Sequence, residues 1–184
     1  MTAALQGILK PGDVLAVRGD GEAGELVRLG AAIGGRPNLS GHAAVMHHYD
    51  PQGVPWGLEG RPGGIGWVDL RPYIASEWTL NNCGQPGRSD ADRVLAAKDA
   101  EGMLGSRYDW LAILGDGFDD LHVKVWGLNG PQGVKPGEAV CSSFAAYVYA
   151  KRKWAHPDLG DERFCQPGDW DAFIVTNRYN VALR

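Results

Sequence analysis

A thiol, an imidazole and a carboxylate carry the chemistry this sequence can support. Cys141 stands in Glu138-Ala139-Val140-Cys141-Ser142-Ser143-Phe144, near the start of a segment whose apolar spacing predicts a helix over residues 138–153. Unpaired amides and the helix dipole at such a position favour the thiolate, the nucleophilic form of cysteine. The spacing Cys141, Phe144, Ala145, Val148 also sets the sulfur on the apolar stripe, where an inert small core residue fits equally well. A thiolate nucleophile needs a proton acceptor, and imidazole has a suitable pKa near neutral pH. Among five histidines, His42 begins a strand, beside Gly41 and ahead of the small Ala43 and Ala44. Alternation turns His42, Ala44, Met46 and His48 to one face. The competing reading of His42 is a strand-end side chain that satisfies local hydrogen bonds only. Glu59, at the end of the next strand, is in range to orient the ring if the two strands pair; the same carboxylate also suits a strand end facing water.

The elements that must position these groups read as α+β. The turn Pro11-Gly12-Asp13 opens a short apolar run, Val14 to Val17, that reads as a buried strand. Glu22 to Ile33 has helical spacing and is stopped by Gly34-Gly35-Arg36-Pro37. The strand from His42 to His48, the turn Asp50-Pro51-Gln52-Gly53 and a strand from Trp56 to Glu59 predict an antiparallel hairpin. Further strands are expected at Trp67 to Leu70 and Thr79 to Cys83. Ser89 caps a helix that runs to Gly105, with Asp90 and Asp92 in its first turn. A short helix at Asp109 to Leu114 and a glycine-rich insert over 115–137 precede the Cys141 helix. The 27 glycines and 11 prolines cluster between these segments, as short elements joined by tight turns require.

A chain of 184 residues with 44% hydrophobic content fits one domain over residues 1–184. Its net charge of -4 leaves no basic surplus for a phosphate backbone, so nucleic acid is not expected as a partner. Lys151-Arg152-Lys153 reads as a solvated helix end. Three cysteines, Cys83, Cys141 and Cys165, are an odd number at irregular spacing, which argues against a disulfide framework and a four-thiolate zinc site. Met1 to Leu9 does not read as a signal peptide, and no apolar run is long enough to cross a membrane, so synthesis in the cytoplasm is expected. Neither His42, His47, His48 and Asp50 nor Asp116, Asp119, Asp120 and His122 has a recognised ligand spacing, and alternation sends His47 away from His48. No metal and no cofactor is therefore expected.

Four segments in order resemble the permuted papain-like cysteine hydrolases, the circularly rearranged branch of the NlpC-type cell-wall peptidase superfamily. They are Gly12-Asp13-Val14-Leu15, His42-Ala43-Ala44-Val45 followed by Glu59, Gly105-Ser106-Arg107-Tyr108-Asp109-Trp110, and Cys141-Ser142-Ser143-Phe144. Ordinary papain-like enzymes place the cysteine first; here the order is His42, Glu59, Cys141. The similarity spans residues 11 to about 150. It departs at Ala43-Ala44, where Val-Gly is common, and in the insert before Cys141.

The resemblance implies a papain-like fold: an antiparallel sheet or partial barrel packed against helices, with the nucleophile at a helix N-terminus. It implies a cysteine peptidase or amidase acting through a thioacyl-enzyme, with Cys141, His42 and Glu59 as catalytic residues and Tyr108 and Ser142 at the substrate. Peptide of the bacterial cell wall is the expected substrate, reached from a phage lysis or tail-delivery system or another export route. Two other readings remain open on the sequence: a lipid-directed acyltransferase or thioesterase of the same fold, and a non-catalytic binding or virion structural protein that retains it. The oligomeric state is not legible.

Overall fold

Small and branched apolar residues in short runs build the strands that hold the site. The computed structural model describes residues 9–18, 40–61, 63–75, 79–81, 87–108, 138–139, 141–157, 165 and 167–177. In chain order its elements are β1 (Val14–Val17), β2 (His42–Tyr49), β3 (Pro55–Arg61), β4 (Gly64–Asp69), α1 (Arg71–Ala75), β5 (Leu80–Asn81), α2 (Asp90–Glu101), β6 (Arg107–Tyr108), β7 (Glu138–Ala139), α3 (Cys141–Lys151) and α4 (Pro167–Thr176). The first five strands form one open antiparallel sheet in the order β4-β3-β2-β1-β5.

Period-two alternation splits this sheet into two buried faces. Val14, Ala16, Ala43, Val45 and Leu58 point at Ala96 and Ala100 of α2, Phe144 and Val148 of α3, and Trp170 and Ile174 of α4. Leu15, Val17, Ala44 and Met46 point the other way, onto Leu9, Leu70 and Ile74 of α1. Cover on both sides explains why β1 is apolar at every position. The α+β class and the β2–β3 hairpin therefore stand as expected. The hairpin turn is held by Asp50, whose Oδ1 accepts from the N–H of Gln52 at 2.9 Å and of Val54 at 2.8 Å. Ser89 caps α2 by accepting from the Asp92 N–H at 3.1 Å.

Several boundaries differ from those expected. The helix expected from residue 138 begins at Cys141, and Glu138–Ala139 instead pair in parallel with Arg107–Tyr108. The strand expected at Trp67 starts three residues earlier, at Gly64. Helices α1 and α4 were not foreseen: each has proline in its first turn, where a missing N–H costs nothing, yet in a glycine- and proline-rich chain the same residue reads as a stop. The predicted helices at 22–33 and 109–114, the stop at 34–37, the insert 115–137 and residues 82–83 of the predicted fifth strand lie outside the described residues. No helix among the described residues is long and apolar enough to cross a membrane.

The turn before β1 ties the sheet to its helices. Gly12 has φ +80°, and a Cβ there would stand 3.1 Å from the Ala96 Cβ and 3.4 Å from the Trp154 ring, so this close approach needs glycine. Its carbonyl accepts from the Tyr149 hydroxyl at 2.7 Å. Next to it, buried Asp13 pairs with buried Arg93 of α2 at 2.6 Å and accepts from the Lys10 N–H at 2.8 Å. Burial pushes the Asp13 carboxyl up to about 6 against the pull of Arg93.

Breaking that pair by Arg93→Ala strands a buried carboxylate and is expected to cost about 3–5 kcal/mol in urea unfolding; a loss under about 1 kcal/mol, the scale of a surface pair, would contradict it. The pH dependence has a definite sign. Because the folded value lies above the ordinary 3.8, the folded state holds the extra proton between the two. The stabilisation is complete below 3.8 and is lost as pH rises through about 6. The stability of the wild-type chain relative to Asp13→Asn should accordingly rise on acidification across that window, and a flat difference would exclude the shift.

Candidate active site

The imidazole and the carboxylate are brought together by strand register. Ala44 of β2 pairs with Glu59 of β3, so Glu59 shares a face with Ala44 and lies diagonally from His42. Across that diagonal His42 Nε2 meets Glu59 Oε2 at 2.8 Å. The carboxylate has no exposure to solvent, and a buried charge needs donors. It has two more: the Tyr73 hydroxyl of α1 donates to the same Oε2 at 2.6 Å, and Arg61 Nε donates to Oε1. The Tyr73 ring also lies edge-on to the imidazole, with centroids 6.1 Å apart. Since a carboxylate accepts, Nε2 carries the hydrogen and Nδ1 is left as the basic nitrogen.

The thiol reaches the imidazole from the helical side of the sheet. Cys141 is the first residue of α3, which packs on β2 and β3. Its sulfur is hydrogen-bonded with the His42 side chain and lies at the backbone N–H groups of Ala43 and Ser142. Burial pushes the thiol pKa up, but the charge and hydrogen bond of His42, with those two amides, outweigh it, and the net shift is downward. Access is narrow. Cys141 is 5% exposed and the His42 side chain 15%.

Helix α4 clamps both strand and helix starts. Asp171 accepts from the Ser40 hydroxyl at 2.5 Å and the Ser40 N–H at 2.8 Å, two residues ahead of His42. Its neighbour Trp170 donates from Nε1 to the Ser142 carbonyl at 3.2 Å, one residue after Cys141. Adjacent side chains of one helix thus hold the backbone beside the imidazole and the backbone beside the thiol.

The other expected site residues fare differently. Ser142, expected at the substrate, is buried, and its hydroxyl donates to the Cys165 carbonyl at 2.5 Å; only its backbone N–H faces the sulfur. Tyr108 lies in β6 by its backbone, and its side chain is outside the described residues, as are Cys83 and Asp116, Asp119, Asp120 and His122. Cys165 is a free, buried thiol. His47 and His48 do not point to opposite faces. The register between β2 and β3 shifts between Met46 and His48, and this bulge brings the two Nδ1 atoms to 2.9 Å and both rings onto Trp67. No group of three or more metal-ligating side chains converges among the described residues.

Sequence reasoning missed Tyr73, Arg61, Trp170 and Asp171. Arg61 had a readable signal: two residues beyond Glu59 on a strand, it must share the face of Glu59. No protein-family model and no curated protein matches the sequence.

The depressed thiol can be read directly. The rate of Cys141 alkylation by iodoacetamide, followed by peptide mass mapping, is expected to inflect below the ordinary thiol range in the wild-type chain and to move up in His42→Ala, where only the two backbone amides still oppose burial. An unmoved inflection would show that the imidazole does not govern the thiol.

Proposed function

We propose that the chain is a cysteine hydrolase of the permuted papain-like kind that cleaves an amide bond in bacterial cell-wall peptide. One observation carries the reading. A cysteine at a helix start meets a histidine whose Nε2 is held by a buried carboxylate, in the chain order histidine, carboxylate, cysteine. A merely structural cysteine in a core has no need of an oriented base.

In this reading Cys141 attacks the amide carbonyl while His42 Nδ1 takes the thiol proton. The proton then passes to the leaving amine as the tetrahedral intermediate collapses to a thioacyl-enzyme. Water, deprotonated by the same nitrogen, attacks the thioester and releases the acid with the free thiol. Glu59 fixes the tautomer and stabilises the imidazolium formed in each half-reaction. Backbone amides at the start of α3 would receive the oxyanion, an effect worth about 3 kcal/mol per donor. The substrate class rests on the resemblance of the sequence motifs to wall peptidases.

Purified muropeptides, with new free amines counted by mass spectrometry, test the proposal. Wild-type chain should release them; Cys141→Ala should not, and Glu59→Gln should be slower by about 10²–10⁴-fold as the ring loses its orienting acceptor. Full turnover by Cys141→Ala ends the hydrolase reading. Turnover of labelled phospholipid in place of muropeptide would transfer the same chemistry to a lipid-directed enzyme.

A further inference from the structure

Arg61 does more than neutralise Glu59. Extending the pairing Ala44↔Glu59 by two residues sets Arg61 across from His42, on the same face of the sheet. Its guanidinium has five N–H donors in a planar fork. Nε serves Glu59, and this is the hydrogen bond the group makes among the described residues. The side chain is 54% exposed, whereas the carboxylate it serves is fully covered. A structural counter-charge for Glu59 alone would be expected to bury itself with its partner, as Arg93 does with Asp13. Arg61 instead leaves over half of its side chain exposed while Nε stays on Glu59.

The floor next to it is open. Gly66 is the cross-strand partner of Glu59 on β4. A Cβ at Gly66, or at Gly63 in the turn after Arg61, would meet no described atom within 4 Å. Gly64, the β4 partner of Arg61 itself, is closed by the Ser106 carbonyl, 2.5 Å from where a Cβ would stand, so the open ground among the described residues lies on either side of it, at Gly63 and Gly66. A half-exposed guanidinium whose Nη groups make no hydrogen bond among the described residues, beside glycines without side chains, is matched to a planar anion, and a carboxylate can take two parallel hydrogen bonds from it.

We infer that Arg61, with Gly63 and Gly66, forms a subsite that receives a carboxylate of the acyl substrate next to the scissile bond, and so selects peptides bearing a free acid there. This deepens the hydrolase reading and rests on it. Bound in this way, the substrate carboxylate would shield Arg61 from water and leave the Nε bond to Glu59 in place, so binding and orientation of His42 would be linked through one side chain.

The test offers Cys141 matched anionic and neutral electrophiles: iodoacetate against iodoacetamide, and iodoacetylglycine against iodoacetylglycinamide, which present the carboxylate at two distances. The ratio of anionic to neutral rate cancels any change in the thiol's own reactivity. For at least one pair this ratio should exceed that of glutathione measured alongside, and should fall by about fivefold or more in Arg61→Gln, with Arg61→Lys between. In the wild-type chain it should also fall as NaCl is raised from about 0.05 to 0.5 M, a readout that needs no variant to fold. Ratios equal to those of glutathione, or unmoved by both salt and Arg61→Gln, overturn the subsite. A neutral-reagent rate no higher than that of glutathione at the same pH instead overturns the activated thiol, and the two failures are distinct.

Discussion

Everything at the site depends on satisfying one carboxylate where water does not reach. Glu59 has no solvent exposure, and an isolated buried charge would cost several kcal/mol. Three donors from three places in the fold remove that cost: His42 from β2, Tyr73 from α1 and Arg61 from its own strand. The arrangement works in both directions. The donors satisfy the carboxylate, and the carboxylate in turn, by accepting from Nε2, dictates which imidazole nitrogen carries hydrogen. It also joins the two faces of the sheet, because Tyr73 belongs to the helix on one side while the thiol arrives with a helix on the other.

Much of this was legible in the sequence because it is written in local periodicity. The run Val14 to Val17, the hairpin of His42 with Glu59, and the capped helix from Ser89 follow from alternation, turn chemistry and capping, and the chain adopts them. The placement of Cys141 at a helix start followed from the apolar stripe. That His42 and Glu59 share a face does not follow from the hairpin alone: the register of Tyr49↔Pro55 and His48↔Trp56, carried on, would pair Glu59 with Val45 on the opposite face, and the shift between Met46 and His48 is what sets Glu59 across from Ala44.

The parts that were not legible are those set by tertiary context. The bulge at His47 reverses a side chain that strict alternation had assigned to the opposite face, and nothing local announces it. Glu138–Ala139 carry helix-compatible residues, but parallel pairing with Arg107–Tyr108 takes their backbone and delays the helix to Cys141. Pro167-Gly168 passes for a turn until the chain places proline in the first turn of α4. Ser142 was placed at the substrate by motif likeness, yet its hydroxyl satisfies the Cys165 carbonyl in the interior, because a buried carbonyl without a donor is the larger penalty.

The consequence for the proposed mechanism is that the thiol and the imidazole are not held by each other. Their mutual hydrogen bond is made at the ends of two elements, where backbone is least constrained by its own ladder or helix. What fixes them is α4, whose adjacent Trp170 and Asp171 bond the chain beside Cys141 and beside His42 respectively. Both bonds are buried, so neither competes with water, and both end on a single helix turn that packs through Trp170 and Ile174 into the core. A relative shift of strand and helix starts would therefore have to break a buried hydrogen bond or drag the aromatic core with it. The geometry between sulfur and imidazole is in this way referred to the rigid interior, which is what the proposed roles of nucleophile and base would require.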